Sequence, residues 1–93
     1  MRLTNSEISE IKNVITTFDP NASVVLFGSR ADDTKKGGDI DLLILSEILN
    51  PQDKRNIKIA LKDKLGDQKI DVVLSIKGEE PIAKIALQEG VFL

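Results

Sequence analysis

Neither cysteine nor histidine occurs in this 93-residue chain. The first absence excludes a disulfide framework and a thiolate metal site. The second removes the commonest general base and the commonest zinc ligand. Tryptophan and tyrosine are also absent, and the aromatics are Phe18, Phe27 and Phe92 alone. The core must therefore be built from Ile, Leu and Val. An excess of one charge is missing too: 13 Lys and Arg stand against 15 Asp and Glu, a formal net charge of −2, so no strong direct nucleic-acid binding is expected and nothing draws the chain to an anionic membrane. No apolar run approaches membrane-spanning length. The N-terminal "MRLTNSEISEIKN" has no apolar core of a secretory signal. The expected location is the cytoplasm. Any catalysis must run on carboxylates, hydroxyls, Lys, Arg and hard metal ions.

A hydrophobic fraction of 41% suits a globular domain rather than a disordered one, and the length suits a single domain over residues 1–93. Thr4 three residues before Glu7 is a capping-box pattern. Ile8, Ile11, Val14, Ile15 and Phe18 then recur at helical spacing, and "DPN" at 19–21 ends that helix. "SVVLF" (23–27) reads as a buried strand. "GSRADDTKKGG" reads as a short helical turn and a loop, and "DIDLLIL" (39–45) as a second strand. Asn50-Pro51 opens a helix that carries Ile57, Leu61 and Leu65 on one face and closes at Gly66. "KIDVVLSI" (69–76) is a third strand. "EEPIAKIALQEG" is a last short helix with Ile82, Ile85 and Ala86 inward, and "VFL" ends the chain. The order α-β-α-β-α-β-α predicts an α+β fold, a small mixed β-sheet with helices packed against it.

Two carboxylates break the apolar pattern of the second strand. Side chains alternate along a strand, so Asp39 and Asp41 point the same way, with Cα atoms roughly 6.5–7 Å apart. Asp71 stands at the start of its own apolar run. If the second and third strands are neighbours, three carboxylates gather at one end of the sheet. Their repulsion is relieved by a divalent cation, and oxygen-only ligands favour Mg²⁺ or Mn²⁺, which are completed by water and substrate phosphates. Before the loop, Gly28 follows a strand and Ser29-Arg30-Ala31 begin a helical turn. That arrangement offers backbone N–H groups, a hydroxyl and a positive charge to an anion.

Each feature alone has an ordinary explanation. A lone Asp-x-Asp is usually a solvated strand start, and Gly-Ser is usually a turn with a cap. Asp71 has Lys69 nearby as an ion-pair partner, and Arg30 suits a surface ion pair as well as a phosphate. Lys35 and Lys36 suit a solvated loop. "NIKIALKDKLGDQK" (56–69) carries the alternating charges of an exposed helix face. Ile59 and Leu87 fall off the apolar stripes of their helices, where they suit either a partner interface or plain exposure.

Taken together and in order, "GSRADDTKKGGDIDLLI" resembles the signature of the polymerase-beta-like nucleotidyltransferase superfamily: Gly-Ser, a loop of about ten residues, then Asp-x-Asp on a strand. The wording "GSRA" and "DIDL" is most similar to the minimal nucleotidyltransferases of prokaryotes. "KIDVVL" supplies the third acidic residue, and the tail "IAKIALQEGVFL" resembles the family's ending. The resemblance implies that Gly28, Ser29 and Arg30 bind the phosphates of a nucleoside triphosphate, ATP by preference. It implies that Asp39, Asp41 and Asp71 are catalytic and hold two Mg²⁺ ions, with Mn²⁺ as a substitute. Asp71 would also help deprotonate the acceptor hydroxyl, which attacks the α-phosphate and releases pyrophosphate. Stand-alone members commonly act as antitoxins. Their partner is a HEPN-domain toxin, which they bind as a hetero-oligomer and, in some members, adenylylate. Gly38 departs from the pattern, since the family more often has Ser or another polar residue there. Larger relatives add a domain that selects the acceptor or base, so on this reading selection comes from a partner, a dimer mate or a weak intrinsic preference. A binding module that neutralises a toxin by contact alone, and a degenerate domain that senses NTP, are the alternatives.

Overall fold

A computed structural model describes residues 1–34 and 38–93, so the expectations for Lys35, Lys36 and Gly37 lie outside the described residues. The chain opens with α1 (Asn5–Phe18). Thr4 caps it: its hydroxyl accepts from the Glu7 amide at 3.0 Å, while the Glu7 carboxylate accepts from the Thr4 amide at 3.0 Å. Then come β1 (Ser23–Phe27), a 3₁₀ turn (Gly28–Ala31), and β2 (Ile40–Leu45). A second capping box, Asn50 with Asp53, starts α2 (Pro51–Leu65). The chain continues through β3 (Ile70–Ser75), α3 (Pro81–Glu89) and β4 (Val91–Phe92).

Among the described residues the strands form one mixed sheet in the order β3-β2-β1-β4. β1 runs antiparallel to β2 and β4, and β2 runs parallel to β3. The expected α+β class and mixed sheet are therefore present. The element order gains one element at its end. The helical turn after β1 is a single 3₁₀ turn, and the final "VFL" supplies a fourth strand by pairing Val91 and Phe92 with Leu26 and Val25. A two-residue strand leaves almost no side-chain period to read; main-chain pairing alone defines it.

Alternation along the strands splits the core by face. Val24, Leu26, Leu42, Ile44 and Val72 pack under α1 and α2, against Ile11, Ile15, Ile57 and Leu61. Val25 and Leu43 face the other way, against Ala83 and Ala86 of α3. Here the expected inner face of α3 needs correction. Ala86 is buried as expected, but Ile82 and Ile85 are 46% and 48% exposed, and Ala83 takes the inward place. Ala83 and Ala86 pack with Val25 and Leu43, and the chain runs close to the sheet where α3 ends. A Cβ on Gly90 would stand 2.6 Å from Val25 Cγ1 and 2.7 Å from the Leu26 carbonyl oxygen. Only glycine fits so near an approach. No helix among the described residues is long and apolar enough to cross a membrane.

Candidate active site

β2 and β3 are parallel neighbours, and their register sets Asp41 directly beside Asp71. Adjacent strands bring the two Cα atoms to roughly 4.8 Å. Both carboxylates belong to the sheet face that also carries Leu43 and Val73, the α3 side. Asp39 lies two residues earlier, just before β2, and Ile40 between them is fully buried on the opposite face. The Ile40 amide donates to the Lys69 carbonyl at 2.9 Å and ties the two strand starts together. Lys69 Nζ lies 3.7 Å from Asp39 Oδ2, so the lysine pairs with Asp39 rather than with Asp71.

The electrostatics of the cluster centre on Asp41. Partial burial pushes its carboxyl above the usual range, and the charges of Asp71 and Asp39 push it further in the same direction; Lys69 offsets part of this. Like charges have thus been gathered at a half-buried position, with one exposed lysine as partial compensation.

Gly28 has a more specific role than lending space to a ligand. Its φ is +74°, a left-handed conformation that strains any residue with a Cβ. A Cβ there would also fall onto Asp41 Oδ2 and lie 3.2 Å from its Cγ. The glycine therefore lets the chain turn sharply off β1 while leaving room for the Asp41 carboxylate. The adjacent Ser29 uses its carbonyl oxygen to accept from Arg2 Nη2 at 3.1 Å, and its hydroxyl makes no hydrogen bond among the described residues.

Arg30 is placed otherwise than an ion pair or an open phosphate ligand would be. Its guanidinium donates to the Arg2 carbonyl at 3.0 Å, the Gly38 carbonyl at 3.2 Å and Gln68 Oε1 at 2.8 Å. Gln68 in turn donates to Glu7 Oε2 at 3.1 Å and to the Leu65 carbonyl at 2.9 Å. Arg30 thus braces both ends of the loop between β1 and β2 against α1 and the end of α2. The sequence carries no local signal for this brace, because Arg30 and Gln68 are 38 positions apart. The pairing of Lys69 with Asp39 and the dependence of Asp41 on Gly28 were equally hidden, since each needs the sheet register.

The donor set suits a hard divalent cation in two respects. All three candidate ligands are carboxylates, and Asp41 stands, partly buried, beside the like charges of Asp71 and Asp39, a repulsion that a cation would relieve. The three side chains do not already form a cage: among the described residues no group of three or more His, Cys, Asp or Glu side chains is placed to hold a metal ion. A cation that takes few protein ligands and completes its shell with water and phosphate oxygens fits such an open arrangement.

The comparison with curated proteins found no match. The family model described as a nucleotidyltransferase domain matches residues 8–93, from α1 through the glycine turn, the aspartate strands and β4. With the small mixed sheet and the paired aspartates at the start of β2 and β3, that match shows that the chain belongs to the nucleotidyltransferase domain family.

Proposed function

We propose that the chain is a Mg²⁺-dependent nucleotidyltransferase that moves AMP from ATP onto a protein acceptor, and that it is the antitoxin of a pair whose toxin carries a HEPN domain. The observation that carries the catalytic part is the register of β2 and β3, which sets Asp41 beside Asp71 with Asp39 two residues before. Nucleotidyl transfer, as the family's general chemistry, gives that cluster a purpose. The acceptor, the nucleotide and the toxin partner rest on the resemblance of "GSRA", "DIDL" and "KIDVVL" to the minimal nucleotidyltransferases.

In this reading Asp39, Asp41 and Asp71 hold two Mg²⁺ ions, and Mn²⁺ substitutes. When bound, the metal supplies neutralisation of the carboxylates and of the negative charge that builds on the phosphoryl oxygens. Ser29 donates its hydroxyl to a phosphate oxygen, and Gly28 keeps the backbone near enough for the triphosphate to approach. Arg30 acts mainly through the loop it braces. Asp71 takes the proton from the acceptor hydroxyl. The acceptor oxygen forms a bond to the α-phosphorus, the bond to the β-phosphate oxygen breaks, and pyrophosphate leaves. Such chemistry suits the cytoplasm, where ATP and Mg²⁺ are abundant.

One observation favours a second reading, a binding module that neutralises its partner by contact. Lys69 Nζ lies 3.7 Å from Asp39 Oδ2 and already compensates that carboxylate. The two readings separate in one experiment. The chain and its HEPN partner are incubated with Mg²⁺ and ATP, and the partner is weighed. Catalysis adds the mass of AMP, and Asp39→Ala and Asp41→Ala abolish the gain. Full transfer by those variants overturns the catalytic reading. An unchanged partner mass with intact binding supports the contact reading.

A further inference from the structure

The outer surface of α2 lies across the sheet from the carboxylates. α2 docks through Ile57 and Leu61, both fully buried on the α1–α2 side. Away from that contact stands Ile59, 59% exposed. Lys54, Arg55, Lys58 and Lys62 surround it, and with Pro51 they line a groove of about 410 Å³.

Helical spacing builds this patch. Lys54, Lys58 and Lys62 follow one another at four-residue intervals, and Arg55 stands four residues before Ile59. The acidic residues of the helix, Asp53 and Asp63, lie three or four positions from none of these cations. Asp53 is engaged in the capping box with Asn50. Among the described residues none of the four cations has a carboxylate within ion-pair distance. The alternating signs read along the sequence of α2 therefore do not alternate on its surface. Like charges at four-residue spacing destabilise a helix, and Lys54, at the fourth helical position, stands near the end where the dipole disfavours cations. This cost is carried inside a chain whose net charge is −2.

We propose that the outer face of α2 is a docking surface for a partner protein, through an acidic segment that carries an aliphatic side chain. Charge complementarity sets the sign of the occupant. Ile59 sets its class: an aliphatic centre ringed by charge has the anatomy of a protein interface, an apolar core within a polar rim. The same centre offers nothing to a phosphate backbone, and the groove holds no aromatic ring on which a base would stack. Lys54 and Lys58 are half-buried, so their stems add apolar cover while the ammonium groups reach outward. The proposal uses no residue of the carboxylate site and does not rest on the catalytic reading.

The test is an amide NMR titration of the full chain with three probes: a peptide alternating Glu and Leu, a peptide of Glu alone, and a single-stranded oligonucleotide of the same charge. The expected result is that the Glu-Leu peptide shifts resonances along the outer face of α2 and binds most tightly. Lys58→Glu with Lys62→Glu weakens that binding about tenfold or more, and Ile59→Ser weakens it about threefold or more without changing charge. Equal binding by the Glu peptide, tighter binding by the oligonucleotide, shifts centred elsewhere, or no binding at millimolar peptide each overturns the proposal. So does undiminished binding by the charge-reversed variant. Melting curves verify that the variants fold; should one not, the wild-type shift map and probe ranking decide alone.

Discussion

Asp19 and Asp41 stand at opposite ends of the β1–β2 ladder, and their surroundings could hardly differ more. Asp19 is only 4% exposed, yet it is fully provided for. Ser46 Oγ donates to its Oδ2 at 2.6 Å, and the Asn21 amide donates to its Oδ1 at 2.9 Å. Ser46 Oγ accepts in turn from the amides of Ile48 and Leu49, at 3.2 and 3.1 Å. This carboxylate closes the turn after α1 and the turn after β2. Asp41 is less buried but is set against two other carboxylates, and its proton affinity is raised. Burial of an acidic group therefore does not mark a site. A carboxylate held where its own charge is disfavoured, in a position the fold has kept open with a glycine, is the better candidate.

The contrast breaks most sharply at Asp41. Asp41→Asn should cut nucleotidyl transfer on the order of a thousandfold, the loss of several kcal/mol of charge stabilisation. It should also stabilise the fold at neutral pH. The folded-state affinity for a proton lies above the usual 3.8, so the folded protein binds more protons than the unfolded chain between those values. Stability then falls as pH rises through that window. The variant's melting temperature should exceed the wild type's at pH 7, and the gain should vanish below pH 3.8, where the carboxyl is protonated in both states.

Asp19→Ala should show the reverse: a stability loss of about 1–3 kcal/mol from the unpaired Ser46 hydroxyl and Asn21 amide, with transfer activity kept. Denaturant titration and the transfer assay measure the two. Gly28→Ala joins both kinds of effect. It should cost about 1–2 kcal/mol for its left-handed backbone, and it should also lower activity, because its methyl occupies the place of the Asp41 carboxylate.

Glu7 offers the opposite sign to Asp41. The Thr4 amide holds its carboxyl below the usual 4.5, with help from Gln68 and Thr4 side chains and the Arg30 charge, against partial desolvation. Its contribution is present above pH 4.5 and is lost as pH falls through the lowered value. Glu7→Gln should therefore lower the melting temperature slightly at pH 7 and not in strong acid. Smallest of all is Gly38→Ser. Nothing lies within 4 Å of a Cβ built there, so stability should stay within about 0.5 kcal/mol of wild type by denaturant titration.

That last position shows where the sequence was legible and where it was not. The departure at Gly38 is visible in the sequence, but only the open space around it tells its consequence. Thr4–Glu7 and Asn50-Pro51 marked both long helices, because caps and apolar spacing are local signals. The aspartate strands were legible for the same reason. Their meeting was conditional until the parallel register set Asp41 against Asp71. α3 misled because Ile82 and Ile85 follow a helical apolar pattern, whereas the residues that pack against Val25 and Leu43 are the small Ala83 and Ala86. Arg30 suited an ion pair or a phosphate contact by sequence, and its bracing of the loop was hidden because its acceptors come from residues 2, 38 and 68. Contacts so distant along the chain leave no trace in a local window.

The central claim is that the carboxylates at the start of β2 and β3 form a metal-dependent nucleotide site. Calorimetric titration of ATP into the chain, with and without Mg²⁺, tests it most directly when Asp41→Asn is run beside the wild type. The account predicts Mg²⁺-dependent ATP binding by the wild type and its loss in the variant, which remains folded. Equal binding by the two proteins, or no binding by the wild type at millimolar ATP and Mg²⁺, would contradict it.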